Sequence, residues 1–189
     1  MEKFFEIISQ LTILDNESKK ALSQIMKKLE LPKGYMLVKP NSICNHVYFI
    51  EKGLTRTFYY KKGKDVTDWF YPENTFASSI VSFITRKPDR RGIELLESSL
   101  ICSFHFNELE DLFNKHHAIE RLGRKLVSKG MVEIQKRFDD LHFSTALQRY
   151  KILLDANPRI INRAPLGMVA SYLGITQETL SRIRRHLPR

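Results

Sequence analysis

The chain has 189 residues, 42% of them hydrophobic and 11% aromatic, which suits one ordinary domain or two small ones sharing a core boundary and excludes disorder, low complexity and repeat arrays. No apolar run approaches the roughly 18 residues that span a bilayer, and the start, MEKFFEIISQL, carries Glu2 and Glu6 where a signal peptide is basic, so the expected location is the cytoplasm, with no membrane partner. The net charge of +10 is lopsided: residues 1–117 hold 17 Lys+Arg against 15 Asp+Glu, residues 118–189 hold 14 against 6, and such a field attracts polyanions, nucleic acid first.

In chain order, NESKKALSQIMKKLE (16–30) has apolar residues at 22, 25, 26 and 29, the spacing of an amphipathic helix, with Asn16 as its predicted N-cap. From Lys33 to Phe106 the texture changes to short β-branched and aromatic runs: YMLV, HVYFI, LTRTFYY, VTDWFY, SIVSFI, IELL and LICSFHF. Close, regular spacing of such runs predicts an antiparallel sandwich or barrel, with turns at Lys33-Gly34, Lys52-Gly53 and Lys62-Gly63-Lys64-Asp65. Cys44 and Cys102 lack metal-ligand spacing and are too few for a four-ligand site, so buried free thiols are expected, with no metal and no cofactor.

After Asn107 the helical period returns. NELEDLF is a short amphipathic helix, and Val127, Met131, Ile134, Phe138 and Leu141 then follow at heptad steps of 4, 3, 4 and 3. That seam suits a partner helix or the chain's own sheet, and spacing alone leaves both open. A further helix over Ala146 to Leu154 ends before the turn signal Asn157-Pro158, and a domain boundary is expected near residue 141.

The segment PLGMVASYLG-ITQETLSRIRRHL predicts two helices joined by about three residues. So tight a turn demands a small residue at the crossing, Gly at the turn and apolar residues at fixed places beyond; Ala170, Gly174, Leu180 and Ile183 supply them at offsets of 4, 10 and 13. At 100° per residue Leu180, Ile183 and Leu187 form one stripe, while Glu178, Ser181, Arg182 and Arg185 lie opposite. The free face has the chemistry of base reading: Glu accepts from cytosine N4, Arg forks onto guanine O6 and N7, and Gln177 could address adenine. Thr176 is the predicted N-cap beside a phosphate-binding helix start, and Arg185 and Arg149 are the other expected phosphate contacts.

These residues resemble the Crp/Fnr transcription regulators, essentially over the whole chain: an N-terminal helix, a cyclic-nucleotide-binding-type β-roll with the IEKGLTR turn (50–56), a long dimer helix and a C-terminal helix-turn-helix whose most specific motif is Glu178-Thr179-Leu180-Ser181-Arg182. The resemblance is nearer the Fnr branch, because Ser181 replaces the glycine usual in the cyclic-AMP receptor. It implies an α+β protein: a jelly-roll-like antiparallel β-roll sensor (1–115), a dimerisation helix (116–141) and a winged-type helix-turn-helix domain (142–189). It also implies a homodimer on double-stranded DNA, with half-sites roughly 34 to 36 Å apart, base readers at Glu178, Ser181 and Arg182, and RNA polymerase as a partner, and it tips the heptad seam toward dimerisation. With Arg189 as the last residue, no C-terminal wing is expected, and any sheet of this domain would fall in RIINRAP (159–165).

The pattern breaks at the sensor. In FASSIVSFITRKPDRRGIELLE, Ala77-Ser78 stand where nucleotide-binding relatives carry Gly-Glu, and Asp89-Arg90 where they carry Arg and a small residue. A ribose loses its carboxylate acceptor, and an acidic group repels the phosphate. Ala77, Ser78, Arg90 and Arg91 mark the candidate effector pocket, control by cyclic AMP is not expected, and the residues name no effector. An N-terminal cysteine cluster for iron–sulfur sensing is absent, and nothing singles out a haem ligand among His46, His105, His116, His117 and His142. A cupin-like metalloenzyme would need His-x-His, which is absent, as are phosphate-loop, Gly-x-Ser-x-Gly and His-Glu-x-x-His motifs; no enzyme is expected. The remaining rival is a sensor that acts through protein partners without specific DNA binding.

Overall fold

Alternating side chains along the strands build two layers, each inner face apolar. The computed structural model describes residues 2–186. Strands β1 (Lys27–Leu31), β2 (Met36–Val38), β3 (His46–Lys52), β4 (Thr55–Lys61), β5 (Lys64–Tyr71), β6 (Phe76–Ala77), β7 (Gly92–Leu95) and β8 (Ser99–His105) form two four-stranded antiparallel sheets, ordered β1-β8-β3-β6 and β2-β7-β4-β5. Tyr48, Ile50 and Ile101 from the first sheet meet Val38 and Ile93 from the second, making the roll's interior. The neighbours of opposite parity, Phe49, Cys102 and Phe104, point the other way and bury against helices. Those helices are α1 (Glu2–Ser9), α2 (Asn16–Ile25), α4 (Phe106–Lys115) and the first turns of α5 (His117–Phe143), where Ile119 and Leu122 close the cluster. All three expected Gly turns appear, with positive φ at Gly34, Gly53 and Gly63.

Four local expectations are corrected. The helix expected to run to residue 30 ends at Ile25: Met26 is extended, and Lys27–Leu31 pairs along β8 over five residues, a non-local ladder that outcompetes a helical period matched equally by the next turn. Its cap is Asp15, not Asn16, because the Asp15 carboxylate accepts from Ser18 N–H at 2.7 Å. SIVSFI is not a strand but helix α3 (Ile80–Thr85), held because Ser82 Oγ accepts from the buried Cys44 N–H at 2.9 Å and Phe83 packs edge-on to Phe106. RIINRAP likewise forms no strand: Ile160 and Ile161 bury from the short helix α7 (Ile160–Arg163).

The C-terminal helices are α6 (Ala146–Ala156), α7, α8 (Leu166–Tyr172) and α9 (Gln177–His186); α8 packs on β5 at the edge of the second sheet, and α9 packs on α8. Leu54, Phe70 and Leu96 of the roll share one apolar cluster with Leu153, Val169 and Leu173. Polar contacts frame it: Thr67 N–H donates to Ser171 Oγ at 3.0 Å, and Arg163 reaches the carboxylates of Glu73 and Glu97.

The thiols are as expected. Cys44 and Cys102 are free and fully buried, and Cys44 Sγ–H donates to the His46 carbonyl. Burial, with the Glu51 carboxylate second, pushes the Cys102 thiol up to about 11. Because both sulfurs are buried out of reach of a reagent, and Cys102 is also kept from the reactive thiolate form, neither cysteine should react with a thiol-specific chromogenic disulfide at pH 8 in the folded protein, and both should react once it is unfolded. Labelling of the native chain at the rate of a free thiol would contradict this packing.

Candidate nucleic-acid interface

The helix-turn-helix forms where the spacing put it. Pro165 precedes α8, and Gly174 takes φ 67°, so its N–H and that of Ile175 turn back onto the carbonyls of Ser171 and Ala170, each at 3.0 Å. Thr176 caps α9 as expected: its Oγ1 accepts from Thr179 N–H at 3.2 Å. Ala170 and Leu180 are both 1% exposed, which confirms the crossing point and the docking stripe, and Ile183 packs beside them. Leu187, the third residue of that stripe, lies outside the described residues.

Opposite the stripe, Glu178, Arg182 and Arg185 are exposed and Ser181 is half-buried. Arg182, Arg184 and Arg185 make no ion pair among the described residues, so their charge faces outward. Glu178 is held below its ordinary value first by its own backbone N–H, then by the Thr176 hydroxyl, with Arg182 adding to both. It therefore stays a charged acceptor through the neutral range. Gln177 is exposed, and its amide lies across the start of α8: a Cβ on Gly167 would stand 2.8 Å from Gln177 Nε2. Gly167 thus admits that side chain, and base contact by Gln177 requires it to swing off α8.

Arg149 departs from the expectation of a phosphate contact. It is half-buried, its Nε donates to the Leu173 carbonyl at 2.8 Å, and a terminal nitrogen donates to the Ser144 carbonyl. Leu173 ends α8 and Ser144 ends α5, so this cation satisfies carbonyls left bare at two helix ends. Thr145 and Gln148 close a reciprocal capping box at the start of the same helix. Arg149→Ala should lower stability by about 1.5 to 3 kcal/mol, the range for hydrogen bonds to charged groups, as read from the denaturant midpoint; unchanged stability with weakened DNA affinity would favour the phosphate role.

The long helix settles one alternative. Val127, Met131, Ile134, Phe138 and Leu141 are 41–73% exposed, so the seam does not pack on the chain's own sheet. Val132 beside them is also exposed. A contiguous apolar stripe of this length marks an interaction surface.

The candidate effector residues are engaged internally. Ala77 is fully buried, Ser78 Oγ donates to the His46 carbonyl, Arg91 pairs with Asp68 at 2.7 Å and Asp89 at 3.3 Å, and Arg90 covers the Tyr59 ring. Asp89 also accepts from Ser79 Oγ at 2.7 Å, which places a carboxylate of the chain at the start of α3. Inside the roll, Tyr48 and the Thr57–Tyr71 pair are hydrogen-bonded within the protein, and burial pushes the Tyr71 phenol up to about 12. Two shallow clefts lie elsewhere, one at Asp15, His116 and Arg121, the other beside α9 at Leu147, Arg182 and His186. His46 and His105 meet edge-on across paired strands, and burial, then His105, lowers the His46 ring. Among the described residues no cluster of three or more potential ligands is arranged for a metal.

Two arginines that no sequence pattern singled out prove central. Arg137 of α5 stacks on the Tyr172 ring at 3.7 Å, donates to the Tyr172 carbonyl at 2.6 Å and lies over Trp69. Arg163 bridges two loops of the roll. Their partners stand 35 to 90 residues away in sequence, so no local signal marks them.

No protein-family model matches the chain. Among curated proteins it is similar to the anaerobic regulatory protein of Haemophilus influenzae, with 24% identity over 195 aligned positions that cover 93% of this chain and 74% of the relative. Among solved structures it is similar to FixK2 from Bradyrhizobium japonicum, with TM-score 0.75, 16% identity, and 86% and 84% of the two chains covered. It is also similar to a transcriptional regulator assigned to the Crp/Fnr family from Eubacterium rectale, with TM-score 0.71, 14% identity, and 92% and 83% covered. The structural likeness establishes the fold, and both comparisons lead to the regulators that the residues of α8 and α9 resemble.

Proposed function

We propose that this chain, built on the Crp/Fnr architecture, is a sequence-specific DNA-binding transcription regulator that acts as a homodimer on a pseudo-palindromic operator. The observation that carries the reading is α9 itself: Leu180 docks it to its own domain, while Glu178, Ser181 and Arg182 stand on the opposite side, one charged acceptor and one forked donor within a single turn. A helix that merely adhered to phosphate would have no use for the glutamate.

In this reading residues 1–115 are the sensor, 116–141 the dimerisation helix and 142–189 the DNA-binding domain, with α5 itself extending to Phe143. Dimerisation through Val127 to Leu141 sets the separation of two recognition helices, and Thr176 and Arg185 hold phosphate at their ends. RNA polymerase is the machinery on which such a regulator acts. Control by cyclic AMP is not part of the proposal, because Ala77 and Ser78 replace the ribose acceptor and Asp89 sits beside Ser79 where an anion would have to bind.

The test is the salt dependence of binding to duplex DNA. Neutralising Z phosphates makes log K fall with log salt at a slope of about −0.9Z, so a dimer using several cations per protomer should show a steep slope. Arg185→Ala should flatten it by about 1 for each phosphate left without its cation, with the same weakening on every sequence. An affinity that hardly changes between low and moderate salt would favour a sensor that acts through protein partners alone.

A further inference from the structure

The contact between the roll and the helix-turn-helix is more built than two touching surfaces require. Arg163 Nη2 donates to Glu73 Oε1 at 2.7 Å and to Glu97 Oε1, Nη1 donates to Glu73 Oε2 at 2.9 Å, and Nε to Glu97 Oε2 at 3.1 Å. One guanidinium thus serves two carboxylates as a double fork, a geometry that a lysine cannot reproduce. Glu73 is fixed in turn by Gly53 N–H at 2.9 Å, and Gly53 is required there, since a Cβ would stand 2.1 Å from Ser99 Oγ. Burial works against its ionisation, yet Arg163 and the backbone N–H groups of Glu73 and Gly53 hold the Glu73 carboxyl down to about 2.

Position gives the clamp its leverage. Only Ala164 and Pro165 separate Arg163 from the first helix of the helix-turn-helix, so fixing Arg163 fixes where α8 begins. In the last turn of α8, Arg137 stacks on Tyr172 and holds its carbonyl, and the adjacent Ser171 accepts from Thr67 N–H. The helix is pinned before its start to the roll, and in its last turn to the roll and to α5, while Glu178 and Arg182 of α9 stay exposed.

We infer that Arg163, clamped by Glu73 and Glu97, is a positioning residue for DNA binding: it fixes the helix-turn-helix on the β-roll so that the two recognition helices of a dimer are held at one separation and tilt. This rests on the proposed DNA-binding reading. The clamp touches no base; it supplies the rigidity that lets two half-sites be engaged at once, so its loss is felt on a full operator and hardly on half of one.

The test has two arms on the full chain. Spin labels are placed at Lys61→Cys and Asp155→Cys, both exposed, while the buried native thiols stay unlabelled. The inter-label distance distribution should be narrow in the parent and broad in Arg163→Gln. Binding is then measured to the duplex enriched by the parent from a random pool and to that duplex with one half scrambled. Arg163→Gln should lose about 5- to 150-fold on the full duplex, the span of typical intersite coupling, and under twofold on the half-scrambled one. Glu73→Gln with Glu97→Gln, made entirely in the roll, should reproduce both effects and decides the matter if Arg163→Gln does not fold. Unchanged distances, or equal losses on both duplexes, overturn the inference. If the parent enriches no duplex, the DNA-binding reading fails, and the distance arm alone still tells a rigid clamp from a passive contact.

Discussion

Replacing Ile134 and Phe138 of the long helix with aspartate should leave a folded monomer that has lost most of its affinity for a two-half-site operator. Both side chains are more than half exposed in the single chain. Their removal therefore costs the protomer little, within the ±0.5 kcal/mol usual for surface positions. In a dimer the same positions face their counterparts across a heptad seam, where a carboxylate pair is both desolvated and mutually repelled. Losing the link between two reading heads removes an effective-concentration gain of about 10²- to 10⁴-fold, and that is the loss expected on the full site. Sedimentation velocity reads the monomer, thermal unfolding the intact fold, and a mobility-shift titration the affinity. A variant that still sediments as a dimer would move the interface elsewhere.

Arg182→Ala is expected to be the most damaging single change on α9. A bidentate Arg–guanine contact is worth about 1 to 3 kcal/mol of discrimination, and a dimer makes it twice, so the full site should lose about 2 to 6 kcal/mol. The loss should be confined to sequences carrying the preferred pair at one position of each half-site, with other pairs there bound about as before. Arg182 makes no ion pair among the described residues, and the helix is docked through Leu180, so the fold does not depend on it. A competition series with each base pair substituted at that position measures the effect. Equal weakening on every duplex would make Arg182 a phosphate contact.

How much of this could be read in the sequence follows from contact range. The helix-turn-helix was legible because Ala170, Gly174, Leu180 and Ile183 meet within 13 residues, and their offsets encode the crossing directly. Most strands were legible as short β-branched and aromatic runs broken by turn residues, and a run such as Tyr48-Phe49-Ile50 is apolar throughout because both of its faces are buried, one in the roll and one against helices. Lys27–Leu31 was not, because its ladder partners in Ser99–Ser103 lie 68 to 76 residues on, while its apolar spacing fits the preceding helix equally well. Charge counts draw attention to the C-terminal part of the chain but carry no sign of the two carbonyls that Arg149 bonds. A cation bonded to helix-end carbonyls looks the same in one dimension as a cation free for phosphate. The Arg163 clamp was invisible because its two carboxylates come from loops of the β-roll 66 and 90 residues away in sequence.

Base reading by α9 is the claim on which the rest depends, and selection of bound duplexes from a random pool by the purified chain probes it without assuming an operator. The expected product is an enriched pseudo-palindrome whose half-sites are centred about one helical turn, 10 to 10.5 base pairs, apart, with a guanine in each half whose preference vanishes when the selection is repeated with Arg182→Ala. Enrichment of no sequence, or of one without internal symmetry, would refute base reading by a symmetric dimer.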